Sequence, residues 1–468
     1  MSQPGTPTRS AARLVFLSTA LGTFIVTANI STMNVAFPDL EGTFVSASRG
    51  SLTWVLNSYT IAFAALLIPA GRLADRLGRR GVFRAGLAMF ALSSVLVGAA
   101  PTLPVVIAAR IGQGVGGAMV VPSSLGLLLA ATPGSERTTT IAKWGSITAL
   151  GVATGPSLGA FIVDGLGWRW AFLLLPPFCL VSYLLGRNTL PDTATNPDAP
   201  FPDLIGATFL ATAMAGAAFA IVQVRPWGAT SPGVLVAATA AAVAIGAVLV
   251  RSRHHPAPAF PLELFGIRSF RMANLATALQ SGTLSASLLI NVLWLTEGWG
   301  YSIFQAGLAT LPSPLLVALL APIIGRGGAR YGIRLFAVPG AFLWGFGQWM
   351  YAGFVGVESN WWLHWLPASL VVAVGIAATF PLIAAAAVSE VGQTEFAVAG
   401  AINQVGRQLG ATIGVAALVT LVGETGELGS FRQAWIAIGA MGPLSAIAVF
   451  LIGAGPRSAQ TSAAATDQ

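Results

Sequence analysis

Arg110 and Gln113 stand three residues apart inside a long apolar stretch, which puts both on one face of a helix. A guanidinium in such a place has two outlets, a polar partner or aqueous path within the protein, or a snorkelling run to the nearest surface. Groups that could meet it or line a path are sparse: Asn29, Asn34, Asn57 and Tyr59 upstream, and Gln280, Asn291, Asn403 and Arg407 downstream. The amides donate and accept hydrogen bonds but do not titrate. The chemistry on offer is therefore recognition by hydrogen bonding and charge, although any one amide suits a helix–helix contact equally well. His254, His255 and His364 stand between apolar stretches, and the lone cysteine, Cys179, has no partner for an internal disulfide. No carboxylates gather near them as a metal or nucleophilic centre would require. Neither a metal nor a cofactor is expected, and an enzyme is the least favoured class.

The elements that must position these groups follow from composition. Of 468 residues, 55% are hydrophobic and 9% charged, with 54 glycines and a mean hydropathy of +0.77. A soluble domain carries about 25% charge, so a soluble enzyme, a disordered chain and a disulfide scaffold are excluded. A net charge of +8 would suggest nucleic acid in a polar protein. Here 24 basic and 16 acidic side chains are too few to cover a soluble surface, so no nucleic-acid partner is expected and the excess reads as membrane topology.

Apolar runs of spanning length lie near 14–37, 51–70, 81–100, 103–130, 140–163, 168–187, 204–224, 233–250, 271–296, 302–324, 334–356, 364–388, 396–422 and 434–454. With the N-terminus inside, only Arg49, Arg169, Arg225 and Arg432 face outward, Arg110 and Arg407 fall within helices, and the other 18 of the 24 basic residues face the cytoplasm. That bias predicts fourteen transmembrane helices with both termini cytoplasmic. The first run continues past Ala28 with no small-x-small cleavage site, which favours an uncleaved span over a signal peptide. Trp361, Trp362 and Trp365 read as interfacial anchors. Arginine is used almost to the exclusion of lysine and alanine is abundant, pointing to a high-GC bacterium and its plasma (inner) membrane.

The loop Gly71–Arg80 and the loop Gly325–Arg334 agree in register at Gly71/Gly325, Arg72/Arg326, Arg76/Arg330, Gly78/Gly332 and Arg80/Arg334. The two loops follow the starts of their first spans at nearly equal distances. The chain thus reads as two copies of a six-helix unit, 14–187 and 270–454. A linker at 188–269 carries two inserted helices, and cytoplasmic tails lie at 1–13 and 455–468. Duplicated helical units around a central path are a transporter plan.

These residues carry a resemblance to the major facilitator superfamily, in particular its fourteen-helix drug:proton antiporter branch. Gly71, Arg72, Asp75, Arg76, Gly78, Arg79 and Arg80 resemble the superfamily's motif A, which implies a cytoplasmic gate. Asp75 can accept from arginine in a latch that breaks and remakes; the second copy has Ala329 at that position. Arg110 to Ala118 resembles motif B. Gly151, Gly155, Pro156 and Gly159 resemble motif C, which implies antiport, and their four-residue spacing suits close helix packing. Trp54 to Tyr59 and Asn403 to Gly410 are similar to further patterns of the branch. The resemblance implies an all-α polytopic membrane protein of major facilitator fold, two six-helix bundles plus two inserted helices.

One departure stands out. Asn29 to Pro38 resembles the branch's first-helix motif, whose leading acid is here Asn29. None of the 16 acidic residues falls in the central third of a predicted span, so the sequence offers no evident proton carrier. The resemblance implies a monomeric secondary transporter in the lipid bilayer, exporting small amphipathic compounds by alternating access with protons as the coupling ion. Alternatives are export of a lipid or organic anion with non-standard coupling, since Arg110 has no evident counter-ion, and a non-transporting sensor on the same fold.

Overall fold

The computed structural model describes residues 9–132, 137–192, 195, 200–387, 391, 396–423 and 427–452. Both expected tails fall largely outside these, as do Asp198, Glu390, Glu395 and Glu424. The described residues form sixteen α-helices and no strand. They are α1 (Arg9–Thr43), α2 (Arg49–Leu77), α3 (Arg79–Ala99), α4 (Leu103–Ala130), α5 (Arg137–Leu166), α6 (Trp170–Leu173), α7 (Leu175–Gly186), α8 (Leu204–Trp227), α9 (Pro232–His254), α10 (Arg268–Leu293), α11 (Ile303–Thr310), α12 (Pro312–Tyr331), α13 (Ile333–Phe354), α14 (Leu366–Ala386), α15 (Phe396–Val422) and α16 (Leu428–Leu451).

Every one of the fourteen apolar runs is helical, α6 with α7 and α11 with α12 each filling one of them. Eleven described helical stretches are long and apolar enough to cross a membrane, and Trp170–Gly186 is a shorter apolar helix. The two breaks, at Leu174 and Leu311, immediately precede proline-bearing first turns, where the ring clashes with the preceding turn and no N–H is left to continue the ladder. The helix α1 starts at Arg9, earlier than the expected 14, because Ala11 and Ala12 sustain the turn that brings Arg9 and Arg13 onto it.

The repeat is built into the backbone. Gly78 (φ 96°) is the single residue between α2 and α3, and Gly332 (φ 102°) the single residue between α12 and α13. Both occupy a conformation side chains rarely adopt. Each N–H closes the preceding helix at 3.0 Å, on Ala74 O and Gly328 O. Gly151, Gly155 and Gly159 of α5 press on Thr27, Ser31 and Thr32 of α1, where any added Cβ would collide. At one constant separation further along, Gly410 and Gly414 of α15 do the same directly on the α10 backbone at Ala278 and Gly282, while Gly406 leaves ordinary contact distance to Asn274. Gly116 on Gly86 and Phe90 is matched by Gly375 on Gly340 and Trp344.

Within the first repeat α1 packs on α5, α7 and α4, and α3 and α2 pack on α4. In the second, α10 packs on α15 and α16, and α13 on α14 and α16. The repeats meet along two seams. On one, α2 lies against α15, joined by a 3.0 Å hydrogen bond between Thr60 and Thr412. On the other, α5 meets α11 through Ala160 against Gly307, Phe161 against Phe304, and the Phe304 N–H donating to Asp164 at 3.2 Å. The inserted helix α8 packs on both α2 and α15, with α9 on its outer side.

Candidate functional site

Arg110, seven residues into α4, is 1% exposed, so it does not snorkel. Its Nε donates to Val55 O at 2.8 Å, and its Nη1 donates to Asn29 Oδ1 at 2.6 Å and Gln113 Oε1 at 2.9 Å. Its guanidinium carbon sits 4.4 Å from the Tyr59 ring centroid and 5.7 Å from that of Phe172. Gln113 is in turn oriented by donating to Ser94 Oγ at 2.7 Å, and Ser94 donates to Phe90 O. A buried cation is thus held entirely by dipoles and ring faces, an arrangement that preserves its charge while meeting its donors. Asn29 therefore acts as an acceptor for Arg110, with no proton of its own to exchange. Engaged on so many sides, Arg110 is less open to an outside acid than its lack of a counter-ion suggests.

The other path residues part company. Tyr59 donates to Val26 O at 3.3 Å. Asn57 and Asn34 are buried, each with one amide atom unpartnered. Gln280 donates to Ser445 at 3.0 Å, and Asn291 accepts from Trp435 Nε1 at 3.4 Å, so both tie α10 to α16. Asn403 donates to Thr277 at 2.9 Å and to Asn274 at 3.3 Å, tying α15 to α10. Arg407, on the same helix, turns instead over the Phe380 ring at 5.2 Å, with its Nε unpartnered. Where the first repeat has Ser94 serving Gln113, the second has Gln348 at the matching place, fully buried with both polar atoms unpartnered.

At the end bearing the motif A loop, Asp75 of α2 accepts from Arg79 Nε of α3 at 2.8 Å across the Gly78 joint, Asp75 exposed and Arg79 partly so. Arg80 donates to Asp192 at 2.7 Å, and Arg80 and Arg84 both reach Arg187 O. Arg72 donates to Pro258 O at 2.8 Å, and Arg76 lies over the Phe201 ring. A Cβ added at Gly71 would meet Pro122 at 3.5 Å, ordinary contact, while Arg79 lies across Gly126 of α4. These contacts bind the loop to its own repeat and to the linker. Pro156 lies within α5 beside the Gly155 carbonyl, which accepts from Thr32 Oγ1 at 3.0 Å.

The opposite end holds a constellation sequence reasoning missed. Arg49 donates to Glu41 from Nε at 2.6 Å, to Glu297 from Nη2 at 2.7 Å and to Gly423 O from Nη1 at 3.2 Å. Glu41 belongs to the same repeat as Arg49, whereas Glu297 and Gly423 belong to the other. All three charged groups sit near predicted span ends, which is the one signal that could have flagged them.

The pattern described as Major Facilitator Superfamily matches residues 19–276. The chain is 29% identical over 414 residues to the methylenomycin A resistance protein of Streptomyces coelicolor, covering 87% of this chain and 85% of that protein. It is 30% identical over 460 residues to the Bacillus subtilis protein of the same name, covering 95% of each. Among solved structures, the inward open xylose transporter XylE from E. coli superposes with a TM-score of 0.66 at 15% identity, covering 97% of this chain and 99% of that one. A family match over more than half of the chain, on a helical fold duplicated about two seams, makes this protein a membrane transporter of the major facilitator superfamily, not an enzyme.

Proposed function

We propose that the chain is a secondary active exporter of small amphipathic organic compounds. It works by alternating access between two units, 14–187 and 270–454, with both termini cytoplasmic. The observation that carries this reading is the Arg49 bridge. It joins the two repeats by charge at one end, while the described ion pairs at the motif A end involve only the first repeat and the linker. A duplicated structure latched across one end and not the other suits a carrier resting with its motif A end accessible. The resistance proteins that resemble it support export as the direction and antibiotics or similar compounds as cargo. In this reading Arg110 with Asn29, Tyr59 and Gln113 forms the polar floor of the path, and the glycine seam of α1 and α5 with Pro156 lets α5 tilt.

Proton coupling in this scheme must use an acid near a span end, since Asn29 cannot titrate. Asp39 accepts from the Trp168 N–H at 2.8 Å and Asp164 from Phe304 N–H, which puts Asp164 on a seam that alternation would open. The test is substrate flux in inside-out vesicles with imposed pH and voltage gradients. Uptake of a lipophilic dye driven by the pH gradient is expected; uptake absent across a dye panel at confirmed membrane abundance would refute export.

A further inference from the structure

Resting on the exporter reading, we propose that Arg407 and Phe380 form the seat of an acidic group, so that the cargo is an amphipathic organic carboxylic acid.

Arg407 lies eleven residues into α15 from Phe396, about 16 Å along the helix axis. The side chain is half-buried at this depth, within an apolar stretch of spanning length. A charge there needs a partner, yet none of the described carboxylates pairs with it. Its Nε is out of contact with solvent and has no acceptor. The contrast with Arg110, whose donors meet three acceptors and two rings, is sharp.

The surroundings are shaped for a ligand. Helices α14 and α15 do not pack as neighbours but both flank α10, and the Arg407 side chain crosses the space between them to lie 5.2 Å over Phe380. Phe380 in turn rests 5.8 Å from the Trp344 ring, so an aromatic wall continues away from the cation. Gly400 is two turns nearer the motif A end on the same face of α15, and a Cβ there would meet nothing within 4 Å. Two turns the other way, Gly414 is pressed onto Gly282. Among the described residues the face is therefore closed beyond Arg407 and open before it. A carboxylate entering from the motif A end would meet a planar fork that matches it bidentately, and an apolar body would lie along Phe380.

The test compares 1-pyrenebutyric acid with its methyl ester, by quenching of tryptophan emission in the purified protein and by flux in inside-out vesicles. Wild type should bind the acid at least about tenfold more tightly than the ester, although the ester is the more hydrophobic. R407Q should bring that ratio close to one, and R407K should keep a preference of several-fold. Equal affinity of wild type for acid and ester overturns the proposal without reference to any variant, as does a preference that survives in R407Q. Acid preference in binding with no flux of acid, ester or ethidium under a gradient would uphold the seat and refute export. Ethidium flux with no acid preference would leave export standing and remove the acid seat.

Discussion

Glu297→Gln tests whether the Arg49 bridge holds one end of the transporter shut. The substitution keeps a carbonyl oxygen for Arg49 and removes only the charge that crosses between repeats. Charge-assisted hydrogen bonds contribute about 1.5–3 kcal/mol and neutral ones about 0.5–1.5 kcal/mol. Glu297 is 27% exposed and Arg49 11%, so solvent screening takes the lower part of that difference. A loss of about 0.5–1 kcal/mol would raise the population open at this end about two- to fivefold. A reporter is available in Val35, which is 1% exposed and packs with Ala160, Val292 and Ile303 where the repeats meet. Maleimide labelling of Val35→Cys in a Cys179→Ala background, in detergent, should accelerate by that factor in Glu297→Gln. Glu41→Gln should accelerate it far less, because Glu41 and Arg49 travel together in one repeat and their attraction cancels between states. An unchanged rate in Glu297→Gln, or equal rates in the two variants, would refute the reasoning.

Four further outcomes follow from the geometry. Asn29→Ala removes the 2.6 Å acceptor of a buried guanidinium and should lower stability by about 1.5–3 kcal/mol, read as a fall in Tm that Asn29→Asp recovers; an unchanged Tm in the alanine variant would show that Arg110 is held by its other partners alone. Asp75→Asn weakens a solvent-screened pair across the Gly78 joint, so Tm should move by less than about 0.5 kcal/mol equivalent while vesicle flux falls severalfold, since any latch made by Asp75 belongs to the state closed at that end; flux equal to wild type at matched abundance refutes that role. Gly155→Ala puts a methyl onto Ser31 Oγ and within 2.6 Å of Ala28 O, and should cost about 1–3 kcal/mol of stability, whereas Gly42→Ala, in open space, should cost almost nothing. At Asp203 burial pushes the carboxyl up, but the bonds from Arg251 and the Gly206 N–H outweigh it and hold the group below the usual carboxylate range. A lowered folded value contributes stability at neutral pH that is lost as pH falls through the carboxylate range, so the Tm gap between wild type and Asp203→Asn should close on acidification toward about pH 3.

Much of the architecture was legible because its determinants are local. Apolar run length marks a span, arginine excess marks a side, and Gly78 and Gly332 stand where only glycine is comfortable. The pairing of Asn29 with Arg110 was accessible as a possibility because two buried polar groups in a poor polar inventory have few other choices. Arg110's real state was not, since Val55 O and the ring of Phe172 come from segments whose approach depends on packing. The Glu41–Arg49–Glu297 bridge was opaque for the same reason: Glu297 lies 248 residues from Arg49, and each charge looks like an ordinary loop residue until the repeats are docked. The break at Leu174 was readable from Pro176 and Pro177, but apolar run length alone hides a break that leaves the run intact.

The hairpin α8–α9 makes a twofold design lopsided. Because α8 lies against both α2 and α15, with the Thr420 hydroxyl donating to Ile221 O and Arg225 donating to Thr420 O and Leu421 O, one seam is lined from outside by protein. Among the described residues the other seam, α5 against α11, has no such cover, and its side-chain contacts gather at Ala160 to Asp164. A hydrophobic molecule dissolved in the surrounding lipid thus meets a helical hairpin on one flank and the bare α5–α11 contact on the other. In the exporter reading, any lateral opening from lipid is expected at the α5–α11 flank, with the added pair of helices shielding the other.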